Sequence, residues 1–177
     1  MNPQVYVACL GCYNEGILKG EWLDADTLEE RFNYAEEHDR QDRAGHFNRC
    51  PRPFHDEWAI HDYDDCPEIT SEHPDIENLI AVMRCIEEHG KPFLEWFNLD
   101  PYNKGHHADD YEQAFQDEFY GEFDSEKDFA EHWLWETYPE LEDMGYFVTS
   151  NIDYKGVWVD LSHAGYEFSG GYVFCSQ

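Results

Sequence analysis

Thirty aromatic residues run from Tyr6 to Phe174 through a chain that sets forty Asp and Glu against eleven Lys and Arg. Any fold for it must bury the first group and leave the second in water. Acidic disordered segments are poor in Phe, Tyr and Trp, because they cannot bury enough apolar surface to offset chain entropy. This chain has the material for a core, so its formal net charge of −29 has to lie on the surface of a folded body. Ordinary surfaces mix both signs at a net charge of about 2 to 8. So one-signed a surface points to a basic partner.

At 177 residues and 41% hydrophobic content, the chain can form one or two compact domains or three small modules. The reading here is three: an N-terminal α+β module (1–65), a central helical module (66–104) and an acidic C-terminal α+β module (105–177). No stretch approaches the roughly 18 to 20 apolar residues of a membrane span. The start MNPQVYVACLGC lacks the basic and apolar regions of a signal peptide. A cytoplasmic protein is expected, with Cys9, Cys12, Cys50, Cys66, Cys85 and Cys175 as reduced thiols.

Tyr6 to Leu10 and Ile17 to Leu23 read as an antiparallel hairpin about Tyr13-Asn14-Glu15-Gly16. Asp26-Thr27-Leu28-Glu29 has capping-box spacing and opens a helix over 27–38. Glu57 to Tyr63 alternates as a third strand, after an arginine-rich loop holding Arg40, Arg43, Arg49 and Arg52. Pro74 starts a helix whose apolar positions are Ile76, Leu79, Ile80, Met83 and Ile86, stopped by Gly90. A second short helix follows from Pro92 to Leu99, and Pro101 to Gly105 breaks the chain. Tyr111, Ala114, Phe115 and Phe119 form one helical stripe, and Ser125 and Asp153 cap two later helices. Tyr166 to Cys175 makes two short strands about Gly170-Gly171. The class is α+β, with short antiparallel strands at both ends and helices between.

Negative charge is concentrated late in the chain. Residues 1–60 carry twelve acids and six bases, whereas 61–177 carry twenty-eight and five. From Asp109 to Asp143 there are fourteen acids and one base, Lys127. Asp117, Glu118, Glu122, Asp124, Glu126, Asp128 and Glu131 interleave with apolar residues that turn inward, so their carboxylates form an ordered array. With Asp62, Asp64, Asp65, Glu72, Asp109, Asp110 and Glu112, these are the candidate partner-binding acids. A DNA duplex presents one phosphate charge per about 1.7 Å of axis, so the whole net charge at that density would imitate roughly 50 Å of DNA. A solvated helix face is the ordinary explanation for such acids, but the size of the uncompensated excess goes beyond it.

Cys9-x-x-Cys12 has zinc-ligand spacing, and Cys50 with His55 offers two further ligand types. The second half is Cys-x4-His rather than a second CxxC, and the sequence reading assigns neither metal nor cofactor. His61-Asp62-Tyr63-Asp64-Asp65 lacks the spacing and central glycine of an EF-hand loop. GxSxG, GxxxxGK[ST], HExxH and GxGxxG are all absent, and His106-His107 beside Asp109-Asp110 is unremarkable among ten histidines. A non-enzymatic protein is expected.

Several spaced segments carry a resemblance. They are Tyr6-Val7-Ala8-Cys9-Leu10, Tyr13-Asn14-x-Gly16-x-Leu18-x-Gly20-x-Trp22-x-Asp24, Glu57-Trp58-Ala59-Ile60-His61-Asp62, and Phe115-x-Asp117-x-Phe119-Tyr120-Gly121-Glu122-Phe123-Asp124-Ser125. Together with Ile152-Asp153-Tyr154 and Trp158-x-Asp160-Leu161, they resemble the ArdA antirestriction proteins over most of the chain. The resemblance implies a DNA mimic from a mobile element or phage. Its expected partner is a type I restriction-modification enzyme, bound at the specificity and methyltransferase subunits, with neither nucleic acid nor membrane as partner. It also implies an elongated chain of three modules and a homodimer, with Phe115, Phe119 and Tyr120 as contact candidates in the antirestriction motif. The arginine-rich loop and Cys12 depart from the family pattern. A different class of function, an acidic and possibly zinc-supported adaptor for another basic host protein, is the alternative.

Overall fold

The computed structural model describes residues 1–37, 50–52, 54–55, 57–67, 74–100 and 108–176. Arg40, Arg43, Arg49, Glu72, the Pro101–Gly105 break, His106 and His107 lie outside the described residues. The chain is α+β, with two three-stranded antiparallel sheets, and it divides into two compact units, residues 1–114 and 115–177.

The sheet of the first unit has β1 (Gln4–Cys9) at its centre, between β2 (Gly20–Leu23) and β3 (Trp58–Asp64). Val5 lies opposite Leu23 on one side and Tyr63 on the other, and Val7 lies opposite Ile60 beyond a register shift. The expected pairing of the first two strands is present, but their connection is not a simple turn. A short helix, α1 (Leu10–Asn14), begins at Leu10, the last residue of the expected first strand. In α2 (Ala25–Glu37) the expected cap also moves, because β2 already ends at Leu23. Asp24, not Asp26, accepts the Thr27 amide at 2.8 Å. The Thr27 hydroxyl and amide together hold the Asp24 carboxyl below its usual 3.8.

The helix expected after Pro74 is α3 (Ile76–His89), capped by Asp75, whose Oδ1 accepts from the Asn78 amide at 3.1 Å. It ends at Gly90, whose φ of 66° is left-handed and suits only a residue without a side chain. Ile76, Leu79, Ile80 and Met83 pack with Leu28 against Val5, Val7, Leu23 and Ile60. Each such side chain contributes about 1.5 to 3 kcal/mol by leaving water. α4 (Lys91–Leu99) buries Phe93, Trp96 and Phe97. Arg31 is buried to 2% exposure, and its charge is met by Glu21 at 2.6 Å.

α5 (Tyr111–Glu118) leads into the second unit and ends one residue before the last member of the apolar stripe. Phe119, read from its spacing as helical, opens β4 (Phe119–Glu122) and pairs with Phe174. Four elements follow: α6 (Glu126–Thr137), a 3-10 helix (Pro139–Asp143), α7 (Tyr146–Thr149) and α8 (Tyr154–His163). β5 (Tyr166–Ser169) and β6 (Tyr172–Cys175) then complete a sheet of order β4-β6-β5. Ser125 caps α6, accepting from the Asp128 amide at 3.2 Å while its hydroxyl donates to the Asp128 carboxylate at 2.7 Å. Asp153 Oδ1 accepts from the Gly156 amide and caps α8, as expected. Phe129, Ala130, Leu161 and Val173 are buried, and Phe123, Trp133, Trp158, Tyr166 and Phe168 pack around them half-exposed.

Candidate functional site

In the first unit, β3 buries Ala59 and Ile60 and then alternates, so that Asp62 and Asp64 are exposed on either side of the half-buried Tyr63. Two residues of strand separate the two acids, a rise of about 6.8 Å. Asp65 is also exposed and accepts from the Asn2 amide at 3.4 Å. Asp109 and Asp110 are exposed just before α5. Glu112 is used internally, since its carboxylate meets His89 Nε2 at 2.8 Å. That carboxylate and Glu88 lie near Cys85, whose thiol is pushed up to about 12, first by burial and then by these two charges.

The second unit carries the denser set. Glu122, Asp124, Glu126 and Asp128 occupy alternate positions from β4 into the first turn of α6, and all four are exposed. Phe123 and Phe129 turn inward between and beyond them, their rings 5.0 Å apart and edge-on. This aromatic anchoring fixes the backbone that carries the carboxylates. Glu126 and Asp128 also sit where the helix macrodipole favours negative charge. Asp117 is exposed, and Glu118 and Glu131 are half-buried. Among the described residues, no Lys or Arg ion pair is formed by Glu122, Asp124, Glu126 or Glu131. Lys127 instead lies 5.9 Å from the centre of the Tyr154 ring.

The three aromatic contact candidates differ in exposure. Phe115 is buried at 3% and stacks on Phe119, which is half-buried. Tyr120 is 39% exposed, rests edge-on against Phe129 and donates its hydroxyl to Glu136 at 3.3 Å. Partial burial and then the Glu136 charge raise the Tyr120 phenol above its usual 10. Glu136 went unremarked among the candidate acids, although its position one α6 length beyond Ser125 was available. The exposed turn around Tyr146 and Phe147, at 85% and 84%, had no sequence signal, because its residues look like core material.

Cys9, Cys12 and Cys50 form a buried cluster of their own, separate from the apolar core. Together with His55 they present four ligand atoms that all lie within 4.8 Å of one another. The Cys12 and Cys50 sulfurs are 3.5 Å apart, too far for a disulfide, and all six cysteines are free. Glu88, His89 and Glu112 also come together, His89 and Glu112 hydrogen-bonded and Glu88 exposed beside them.

The sequence model of the family described as Antirestriction protein (ArdA) matches residues 5–174. The chain therefore belongs to the ArdA antirestriction family, and antirestriction is the function that membership carries. A comparison with curated proteins finds no match. Among the described residues, no helix is long and apolar enough to cross a membrane.

Proposed function

We propose that the protein is a DNA mimic that occupies the DNA-binding groove of a type I restriction-modification enzyme, at its specificity and methyltransferase subunits, and so blocks restriction and modification. The observation carrying this reading is the run of exposed carboxylates at alternate positions from Glu122 to Asp128, held by rings that pack inward and left without cationic partners among the described residues. A groove lined with Lys and Arg gains from releasing counterions when phosphates enter. Fixed carboxylates offer it the same exchange, and relief of their mutual repulsion adds to the drive. Asp62, Asp64, Asp65, Asp109 and Asp110 in the first unit and Asp117, Glu118 and Glu131 in the second are further candidate partner-binding acids, as are Glu72, which lies outside the described residues, and Glu112, whose carboxylate also meets His89.

In this reading the chain is cytoplasmic, acts without catalysis, is built of three modules and works as a homodimer. Tyr120 supplies the exposed contact of the dimer, and Phe115 and Phe119, stacked on each other, are the other contact candidates. Competition provides the test. The purified protein should displace duplex DNA from a type I methyltransferase, with an affinity that falls steeply and log-linearly as salt rises. For six to ten replaced phosphate contacts, the loss between about 50 and 200 mM salt is on the order of a thousandfold or more. Salt-insensitive inhibition, or inhibition without displacement of DNA, would remove the mechanism.

A further inference from the structure

We propose that Cys9, Cys12, Cys50 and His55 bind one structural zinc(II) ion, which holds together the end of the first sheet. The four donor atoms all lie within 4.8 Å of one another, and four of the six distances between them are close to the edges of a zinc-centred tetrahedron. His55 Nδ1 is 3.6 Å from Cys9 Sγ, 3.4 Å from Cys12 Sγ and 3.6 Å from Cys50 Sγ, and the last two sulfurs are 3.5 Å apart. A tetrahedral zinc with bonds of about 2.3 Å to sulfur and about 2.05 Å to nitrogen requires edges of about 3.8 Å between sulfurs and about 3.6 Å from sulfur to nitrogen. Three soft sulfur donors and one imidazole favour zinc over hard, oxygen-seeking cations. Three closed protein sulfurs and a nitrogen leave no open position for substrate, so the site is structural.

Its surroundings are those of a built site. Cys9, Cys12 and Cys50 are at most 6% exposed, and the His55 side chain is 13% exposed. The Cys12 amide donates to Cys9 Sγ at 3.4 Å, and the Arg52 amide donates to Cys50. The outer nitrogen of His55, Nε2, faces Glu15 Oε1 at 3.4 Å, and the other Glu15 oxygen is held by Arg52. A carboxylate behind a ligating imidazole is the usual way of fixing its orientation and basicity. The Cys9 amide donates to the Lys19 carbonyl at 2.8 Å and the Leu10 amide to the Glu57 carbonyl at 3.1 Å, which ties the Cys9–Cys12 turn to β2 and to the approach to β3. Gly11 completes the arrangement, because a β-carbon there would come within 2.5 Å of the His55 ring. The cysteines share no cluster with the apolar core, so the ion would supply the cohesion that side-chain packing does not supply at this end of the sheet. On binding, each of the three thiols gives its proton to solvent and the ion's charge meets three thiolates, with no change of oxidation state.

The test is metal analysis of the full chain, purified under reducing conditions without chelator. About one zinc per chain is expected. Cys12→Ser should abolish it, whereas Cys66→Ser and Cys85→Ser should keep it. Should Cys12→Ser fail to fold, Glu15→Gln gives a second arm, with zinc affinity reduced by about 10- to 100-fold in a folded protein. Cobalt(II) refilling of the stripped wild-type chain should produce intense tetrahedral visible bands and a thiolate charge-transfer band. A wild-type chain that folds without metal and takes up neither zinc nor cobalt would overturn the proposal. So would an octahedral cobalt spectrum, or equal loss of metal in the Cys66 or Cys85 variant. None of these readouts depends on antirestriction activity.

Discussion

The first unit holds twenty-six acids and nine bases in residues 1–114, and the second holds fourteen acids and two bases in residues 115–177. The larger difference is in how the bases are used. In the first unit Arg31 meets Glu21, Arg84 meets Glu29 and Asp26, and Arg52 meets Glu15. In the second, His132 meets Glu136, a pair charged on both sides only when the histidine is protonated. Core construction follows the same division. Leu28, Leu79, Met83 and Ile86 are fully buried aliphatics of the first unit, whereas the second surrounds Phe129 and Val173 with half-exposed rings. A short unit cannot enclose much. Rings with polar edges let it border water at little cost, as when Trp133 Nε1 donates to the Tyr166 hydroxyl and Trp135 Nε1 to the Tyr154 hydroxyl. The first unit thus pairs several of its bases with acids while keeping a large negative excess, and the second carries its acids on an aromatic scaffold.

The sharpest way to break this contrast is Phe129→Ala. Phe129 is fully buried and touches the rings of Tyr120, Phe123, Trp158 and Tyr166. The loss should be about 3 to 5 kcal/mol. Hydrogen exchange should then show protection lost from α6, α8 and the second sheet while α3 stays protected, and uniform loss in both units would mean that their stabilities are not separable. Next in size is joint reversal of Glu122, Asp124, Glu126 and Glu131 to Lys. Inhibition of DNA binding by a type I methyltransferase should weaken on the order of a hundredfold or more. Any one of the four replaced by Gln should change it by no more than about threefold. A single dominant residue would argue for one specific ion pair instead of a distributed surface.

The smallest effect belongs to Asp24. Its carboxyl titrates lower in the folded protein than in the unfolded chain, so its stabilisation is complete above the usual 3.8 and is lost as pH falls through the lower folded value. Asp24→Ala should cost about 1 kcal/mol at neutral pH. Comparing its thermal melts with those of the wild type should show the difference shrinking in acid. A difference that persists at low pH would show that the effect is not that of an ionised cap.

Elements with a local signal were legible in the sequence. α3 declares itself by Pro74, the spacing of Ile76, Leu79, Ile80 and Met83, and Gly90, because start, face and stop are all within one helix length. What escaped depended on distant partners. Phe119 continues the spacing of Tyr111 and Phe115, yet pairing with Phe174 draws it into β4. α1 was hidden because Cys9 and Leu10 look like strand, and the turn that follows is shaped by contacts with residues 38 and 46 positions later. The acids were legible as a density, and several proved to be exposed. Which of them serve the fold was not legible: Asp128 is part of a helix cap and Glu112 holds His89. A carboxylate pattern alone does not reveal such internal bonds.

The missing β-carbon at Gly11 has a consequence for relatives of this chain. The imidazole of His55 occupies the space that any side chain at position 11 would fill. Positions 11 and 55 should therefore change together through the family: wherever a bulkier residue stands in the first place, histidine should be missing from the second. Histidine in the second place should always come with glycine in the first.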